Sequence, residues 1–198
     1  MLRDRPNLAS SVDGPTDEVA RPAGDGAGGD VVVLGEPGRH RVTAELLGAA
    51  AGLAASIGGR AVLSVDVVDD WEALSSQGAD KVIRHAGTTG AEDVARMLAG
   101  YFARESPWAV LAPGTAWGRE AAARLAARMG AGLTGDAIGL EARDGRLVAF
   151  KPAFGGRLVA EISCTSAVQM ATVRPGILPG LRPRPTAPFA VDRLEAGP

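Results

Sequence analysis

Between residues 31 and 129, short apolar runs alternate with stretches whose apolar residues recur every three or four positions, and this alternation leaves few folds open. Val31, Val32, Val33 and Leu34, closed by Gly35, form the unbroken run expected of a strand buried on both faces. Val42, Leu46, Ala50, Leu53 and Ile57 then recur at helical spacing, and Gly58 and Gly59 stop the helix. Residues 61–65 predict a second strand, 71–77 a short helix ending at Gly78, and 81–84 a third strand. A third helix over 92–104 carries Val94, Met97, Leu98 and Tyr101 or Phe102 on one face, and Pro107 breaks the chain before a fourth strand at 108–112. Ala122, Leu125 and Met129 mark a fourth helix over 119–129, with Gly130 and Gly132 as stop signals. Strand and helix taking turns in this way give an α/β fold with a mostly parallel sheet flanked by helices.

After Gly132 the helical period disappears, and residues 133–142, 146–151, 158–164 and 168–173 read as strands, with Asp144-Gly145 as a hairpin turn. The expectation is therefore a parallel sheet followed by C-terminal antiparallel strands. The leader, residues 1–30, is rich in Gly, Asp, Pro and Ser, and buries too little to offset its ordering entropy, so it is expected to be disordered. Six of the chain's 13 prolines follow Val173. Prolines resist both helix and central strand, so residues 177–198 are expected to form an extended, loosely held Pro-rich tail. The folded domain is placed at residues 31–176.

Several function classes are disfavoured by charge and composition. Lys plus Arg number 21 against 23 Asp plus Glu, a net charge of −2, so there is no basic field to attract a nucleic acid. Cys164, the single cysteine, has no partner for an internal disulfide and fits a reducing, cytoplasmic setting. No apolar stretch reaches the roughly 20 residues of a membrane helix, and residues 1–9 show no secretory pattern.

Gly24, Gly26 and Gly29 spell the dinucleotide fingerprint, but they precede the first strand, where the fingerprint must follow one. The turn that does follow that strand carries Glu36, which repels a pyrophosphate, and Pro37, which lacks a donor. The best polar candidate is the loop from Gly114 to Glu120, at the carboxyl end of the fourth strand and opening a helix. Its Thr115, Gly118 and Arg119 are the candidate nucleotide-binding residues. The competing reading makes Thr115 a helix cap. His40 and His85 stand alone and read as surface residues, Cys164 as inert mid-strand packing, and Asp66, Asp69 and Asp70 as solvated or capping positions. Trp117 and Phe154 are loop aromatics suited either to packing or to a partner surface. No catalytic residue and no metal-ligand set is assigned.

Several ordered blocks carry a resemblance. They are Gly78-Ala-Asp-Lys-Val82, Leu111 through Glu120 with its helix to Gly130, Gly132-Leu-Thr-Gly-Asp136, Lys151-Pro-Ala-Phe-Gly-Gly156 and Ala171-Thr-Val-Arg-Pro-Gly176. In this order they resemble the alpha subunits of electron transfer flavoproteins, over about residues 31–176, with Arg157 standing where relatives often carry Asn. The resemblance implies a Rossmann-like (adenine nucleotide alpha hydrolase-like) first domain and a beta-type subunit as partner. It also implies FAD in the assembled complex, held mostly by a second domain that follows the Thr-Val-Arg-Pro-Gly segment. No flavin motif of that domain is present in the 22 residues after Gly176, so FAD is not assigned to this chain alone, and a separately encoded flavin domain is a further implied partner. The expected role is an electron-transfer component without an active site of its own. The alternatives are an AMP-binding module using the Gly114–Glu120 loop, and a truncated remnant without function.

Overall fold

Each of the first four apolar runs becomes a strand with two buried faces. The computed structural model describes residues 28–68, 70–85, 87–180 and 183–194. Strand β1 (Asp30–Leu34) buries Val31 and Val33 against helix α1 (His40–Ile57), and Val32 and Leu34 against the opposite layer. That two-sided burial is why the run shows no polar alternation. Helix α1 ends at Gly58, whose φ of 69° is the left-handed C-cap that a residue without Cβ adopts at low cost. Strand β2 (Arg60–Val65), helix α2 (Trp71–Ser76), strand β3 (Lys81–His85), helix α3 (Ala91–Phe102), strand β4 (Ala109–Pro113) and helix α4 (Ala116–Met129) follow in the expected order. Asp70 caps α2, its Oδ1 accepting from Ala73 N–H at 2.8 Å.

Chain order then separates from spatial order. Strands β5 (Gly132–Ala137) and β9 (Gln169–Val173) join the main sheet, while β6 (Gly139–Arg143), β7 (Arg146–Ala153) and β8 (Leu158–Ile162) form a three-stranded antiparallel sheet. The main sheet has seven strands in the order β10-β3-β2-β1-β4-β9-β5, and every pairing in it is parallel. Of the segments expected to be antiparallel additions, 168–173 and the first part of 133–142 are therefore parallel members of the main sheet, while the second part of 133–142, as β6, is antiparallel as expected. The reason is visible in β9, which is buried at all five residues, as a strand between two neighbours and two layers must be. The excursion β6–β8 carries the chain away and back, so that β9 enters between β4 and β5 in the parallel sense.

One face of the main sheet is covered by α1, with Leu147 and Ala149 of β7 packed into the same core. The other face is covered by α3 and α4 through Val94, Leu98, Ala122 and Leu125. Because β2 and β3 extend to one side of β1 while β4 lies on the other, the strand order reverses between β1 and β4. This is the place where open α/β sheets carry ligands.

The tail is extended, but it is not loosely held. Glu45 on α1 accepts three backbone N–H groups through its carboxylate, from Gly176 at 2.7 Å, Ile177 at 2.9 Å and Leu178 at 2.8 Å. Arg184 then reaches Asp80 Oδ1 at 2.6 Å, and Ser75 exchanges two hydrogen bonds with the Ala187 backbone. Finally β10 (Ala190–Leu194) pairs in parallel with β3, from Ala190 opposite Lys81 to Leu194 opposite His85. The described prolines of this segment, Pro179, Pro183, Pro185 and Pro188, all precede the ladder, where no strand donor is required of them. The leader expectation falls on residues of which 1–27 lie outside the described ones, as do Gly24 and Gly26 of the fingerprint-like run.

Candidate functional site

The strand-order reversal brings the two turns flagged in the sequence face to face. After β1, Gly35 N–H donates to Ser64 O at 2.8 Å, and the chain turns through Glu36 and Gly38 into α1. After β4, Gly114 N–H donates to Val173 O at 2.6 Å and Thr115 caps α4, its Oγ1 accepting from Gly118 N–H at 3.0 Å. A Cβ on Gly118 would lie 2.1 Å from Pro113 O, so only glycine lets the helix start this close to the strand end.

The crevice is bridged from within. Thr115 Oγ1 donates to Glu36 Oε2 at 2.7 Å, and Glu36 Oε1 pairs with Arg39 Nε at 3.3 Å. The Glu36 side chain is only 11% exposed, so a carboxylate already satisfied by the protein occupies the ground where a Rossmann site would receive a phosphate. Beside it opens a cleft of about 460 Å³ that includes Glu36, Asp66 and Asp70 in its wall and no Lys or Arg. A phosphate-bearing ligand entering there meets the carboxylates of Asp66 and Asp70 and a Glu36 already paired with Arg39, with no Lys or Arg in the wall to receive it. The residues present therefore do not fit a flavin or adenine dinucleotide pyrophosphate at this position.

Of the three candidate nucleotide-loop residues, Gly118 and Arg119 both donate their backbone N–H to Thr115, at 3.0 Å each, but the Arg119 side chain engages a different group. Arg119 is 61% exposed and lies 3.8 Å from Asp136 Oδ1. Asp136 is itself gripped by Arg174 through two bonds, at 3.2 and 2.6 Å, which hold its carboxyl below the usual carboxylate range. Arg119 thus belongs to a charged group at the ends of β5 and β9, away from the Glu36 bridge.

Other expectations meet different fates. His40 is an exposed first residue of α1. His85 is not on the surface. It ends β3 fully buried, and burial pushes its pKa below the ordinary histidine value. A single histidine after a polar strand residue gives no sign of this, because its burial depends on the layers and strands that the fold brings around β3. Trp117 lies inside α4 and donates from Nε1 to Thr89 O at 2.8 Å, while Phe154 is 79% exposed at the β7–β8 tip. Asp69 lies outside the described residues. Among the described residues no cluster of His, Cys, Asp or Glu could hold a metal ion, and no helix is long and apolar enough to cross a membrane.

The sequence reading missed a buried polar group. Lys81 Nζ donates to Tyr101 Oη at 2.8 Å and lies 2.9 Å from Asp192 Oδ2, to which Tyr101 also donates at 2.5 Å. It joins β3, α3 and β10, and the only available signal was a lysine directly before the apolar pair Val82-Ile83.

The model of the electron transfer flavoprotein domain matches residues 31–197, most of the chain. The chain belongs to the electron transfer flavoprotein family. Among its relatives is the electron transfer flavoprotein subunit alpha of Clostridium acetobutylicum, 35% identical over 172 residues that make up 79% of this chain and 49% of the relative. Protein FixB of Clostridium saccharobutylicum is 36% identical over 150 residues, 70% of this chain and 44% of that protein. Subunit LctC of a lactate dehydrogenase (NAD(+),ferredoxin) from Acetobacterium woodii is 34% identical over 147 residues, 68% of this chain and 34% of its own length. The chain spans about half or less of the curated relatives it matches.

Proposed function

We propose that this chain is the alpha-type, sheet-forming component of an electron-transferring flavoprotein, working as a scaffold in a cytoplasmic complex with a beta-type subunit. The match to the electron transfer flavoprotein domain along residues 31–197 carries the reading. It is supported by the self-bridged crevice, in which Thr115 and Glu36 satisfy each other. A domain whose ligand position is closed by its own side chains is suited to hold partners in place.

FAD, in this reading, is bound in the assembled complex by groups outside the described residues. When bound it supplies one- and two-electron redox chemistry, which belongs to the isoalloxazine ring. This chain would contribute rigidity and docking surface. The test is co-purification of the chain with the beta-type subunit of the same organism, followed by a visible spectrum. A yellow complex with flavin absorption bands is expected, and failure to form any complex would overturn the assignment.

A further inference from the structure

Two side-chain polar atoms among the described residues are buried and without a hydrogen bond: Ser64 Oγ on β2 and His85 Nε2 on β3. Native interiors seldom leave such groups unpaired, and an ordered water is the usual partner when protein supplies none. Ser64 is 1% exposed and His85 0%. In the parallel β2–β3 ladder Ser64 stands opposite Ile83. By the period of two, Ser64, Ile83 and His85 therefore project on one face, the side covered by α3 and α4. Ser64 and His85 are diagonal neighbours on that face.

Their proton inventory is complementary. His85 Nδ1 lies 2.9 Å from the Thr88 carbonyl, which can only accept, so in the neutral ring Nδ1 carries the proton and Nε2 is a bare acceptor. The Ser64 hydroxyl has a proton to give. The two do not bond each other directly. We infer that one buried water joins them, accepting from Ser64 Oγ and donating to His85 Nε2. It extends a chain of contacts to the crevice: His85 holds Thr88, the adjacent Thr89 carbonyl accepts from Trp117 Nε1, and Trp117 sits two residues after the Thr115 cap.

The surroundings favour a neutral ring. Burial is the largest influence on His85 and lowers its pKa, and Asp66 is the charged side chain whose field opposes it. On β10 the residue opposite is the apolar Leu194, and Glu92 and Asp93 in the first turn of α3 are exposed.

Nitrogen-15 spectra of the histidine rings test the inference on the whole chain. At neutral pH the expected signature is the Nδ1-protonated tautomer. A bond donated to bare Nε2 stabilises the neutral ring, so Ser64→Ala should raise the His85 titration midpoint by about half to one pH unit. Val62→Ala, on the same strand and face but without a hydroxyl, controls for lost packing and should leave the midpoint in place. An Nε2-protonated tautomer in the unsubstituted chain, or a midpoint that Ser64→Ala leaves unchanged or moves no further than Val62→Ala, overturns the bridge.

Discussion

Replacing Tyr101 with Phe removes one oxygen and leaves the ring. In the folded chain that oxygen accepts from Lys81 at 2.8 Å and donates to Asp192 at 2.5 Å, while Lys81 and Asp192 also meet at 2.9 Å. Hydrogen bonds to charged groups contribute about 1.5–3 kcal/mol each where water is excluded. The Lys81 side chain is 8% exposed but Asp192 is 40% exposed, so its bond is discounted for screening, and the surviving Lys81–Asp192 pair retains part of the interaction. The expected loss is about 1–3 kcal/mol, or a fall in Tm of roughly 2–10 °C for a chain of this size. The pH dependence follows from Asp192, whose carboxyl is held below its usual range first by the Tyr101 hydroxyl and then by Lys81. A depressed carboxylate pKa contributes stability above the unfolded value and loses it as pH falls through the folded one. The deficit of Tyr101→Phe should therefore be full near pH 7 and shrink below about pH 4. Circular-dichroism melts across that range would measure it. Identical melting of the two chains at pH 7, or a deficit that persists undiminished in acid, would show that the group is not a clasp.

Gly118→Ala places a Cβ 2.1 Å from Pro113 O, so thermal melts should show a loss of about 1–3 kcal/mol or more, and an unchanged Tm would contradict the close helix start. Glu45→Ala removes the acceptor of three tail N–H groups, and amide exchange at Gly176, Ile177 and Leu178 should accelerate by about tenfold. Unaltered exchange would mean that the carboxylate does not anchor the tail. Millimolar AMP should leave Tm where it is, since the Glu36–Thr115 bond fills the crevice. A rise that Arg119→Ala abolishes would restore the nucleotide-loop reading.

Much of the fold was legible because period and punctuation agreed from residue 31 to 129. Val31–Leu34 had to be a two-faced strand, and Gly58 and Gly130 both adopt the left-handed caps their positions announced. Thr115 was legible as a cap for the same local reason. Pairing beyond the neighbour was not legible: 169–173 looked like any strand, and only the β4 and β5 flanks make it parallel. Proline density in the tail masked five proline-free residues that find a ladder on β3. The Glu36–Thr115 bond joins residues 79 apart, and the Tyr101–Asp192 bond residues 91 apart. No window short enough to show periodicity contains either pair, which is why the site's wiring appeared only once the sheet had brought the turns together.

The pairing of β10 with β3 also sets an order of events in time. Residue 85 leaves the ribosome about 105 residues before residue 190, an interval on the order of 5–20 s at ordinary elongation rates. Throughout that interval Lys81 and the row of donors and acceptors along β3 await a neighbour, and once β9 has emerged they form the open edge of an otherwise assembled sheet. The nascent chain should therefore be most vulnerable to misassociation late in its synthesis, and it is the last strand of the sheet that ends the exposure.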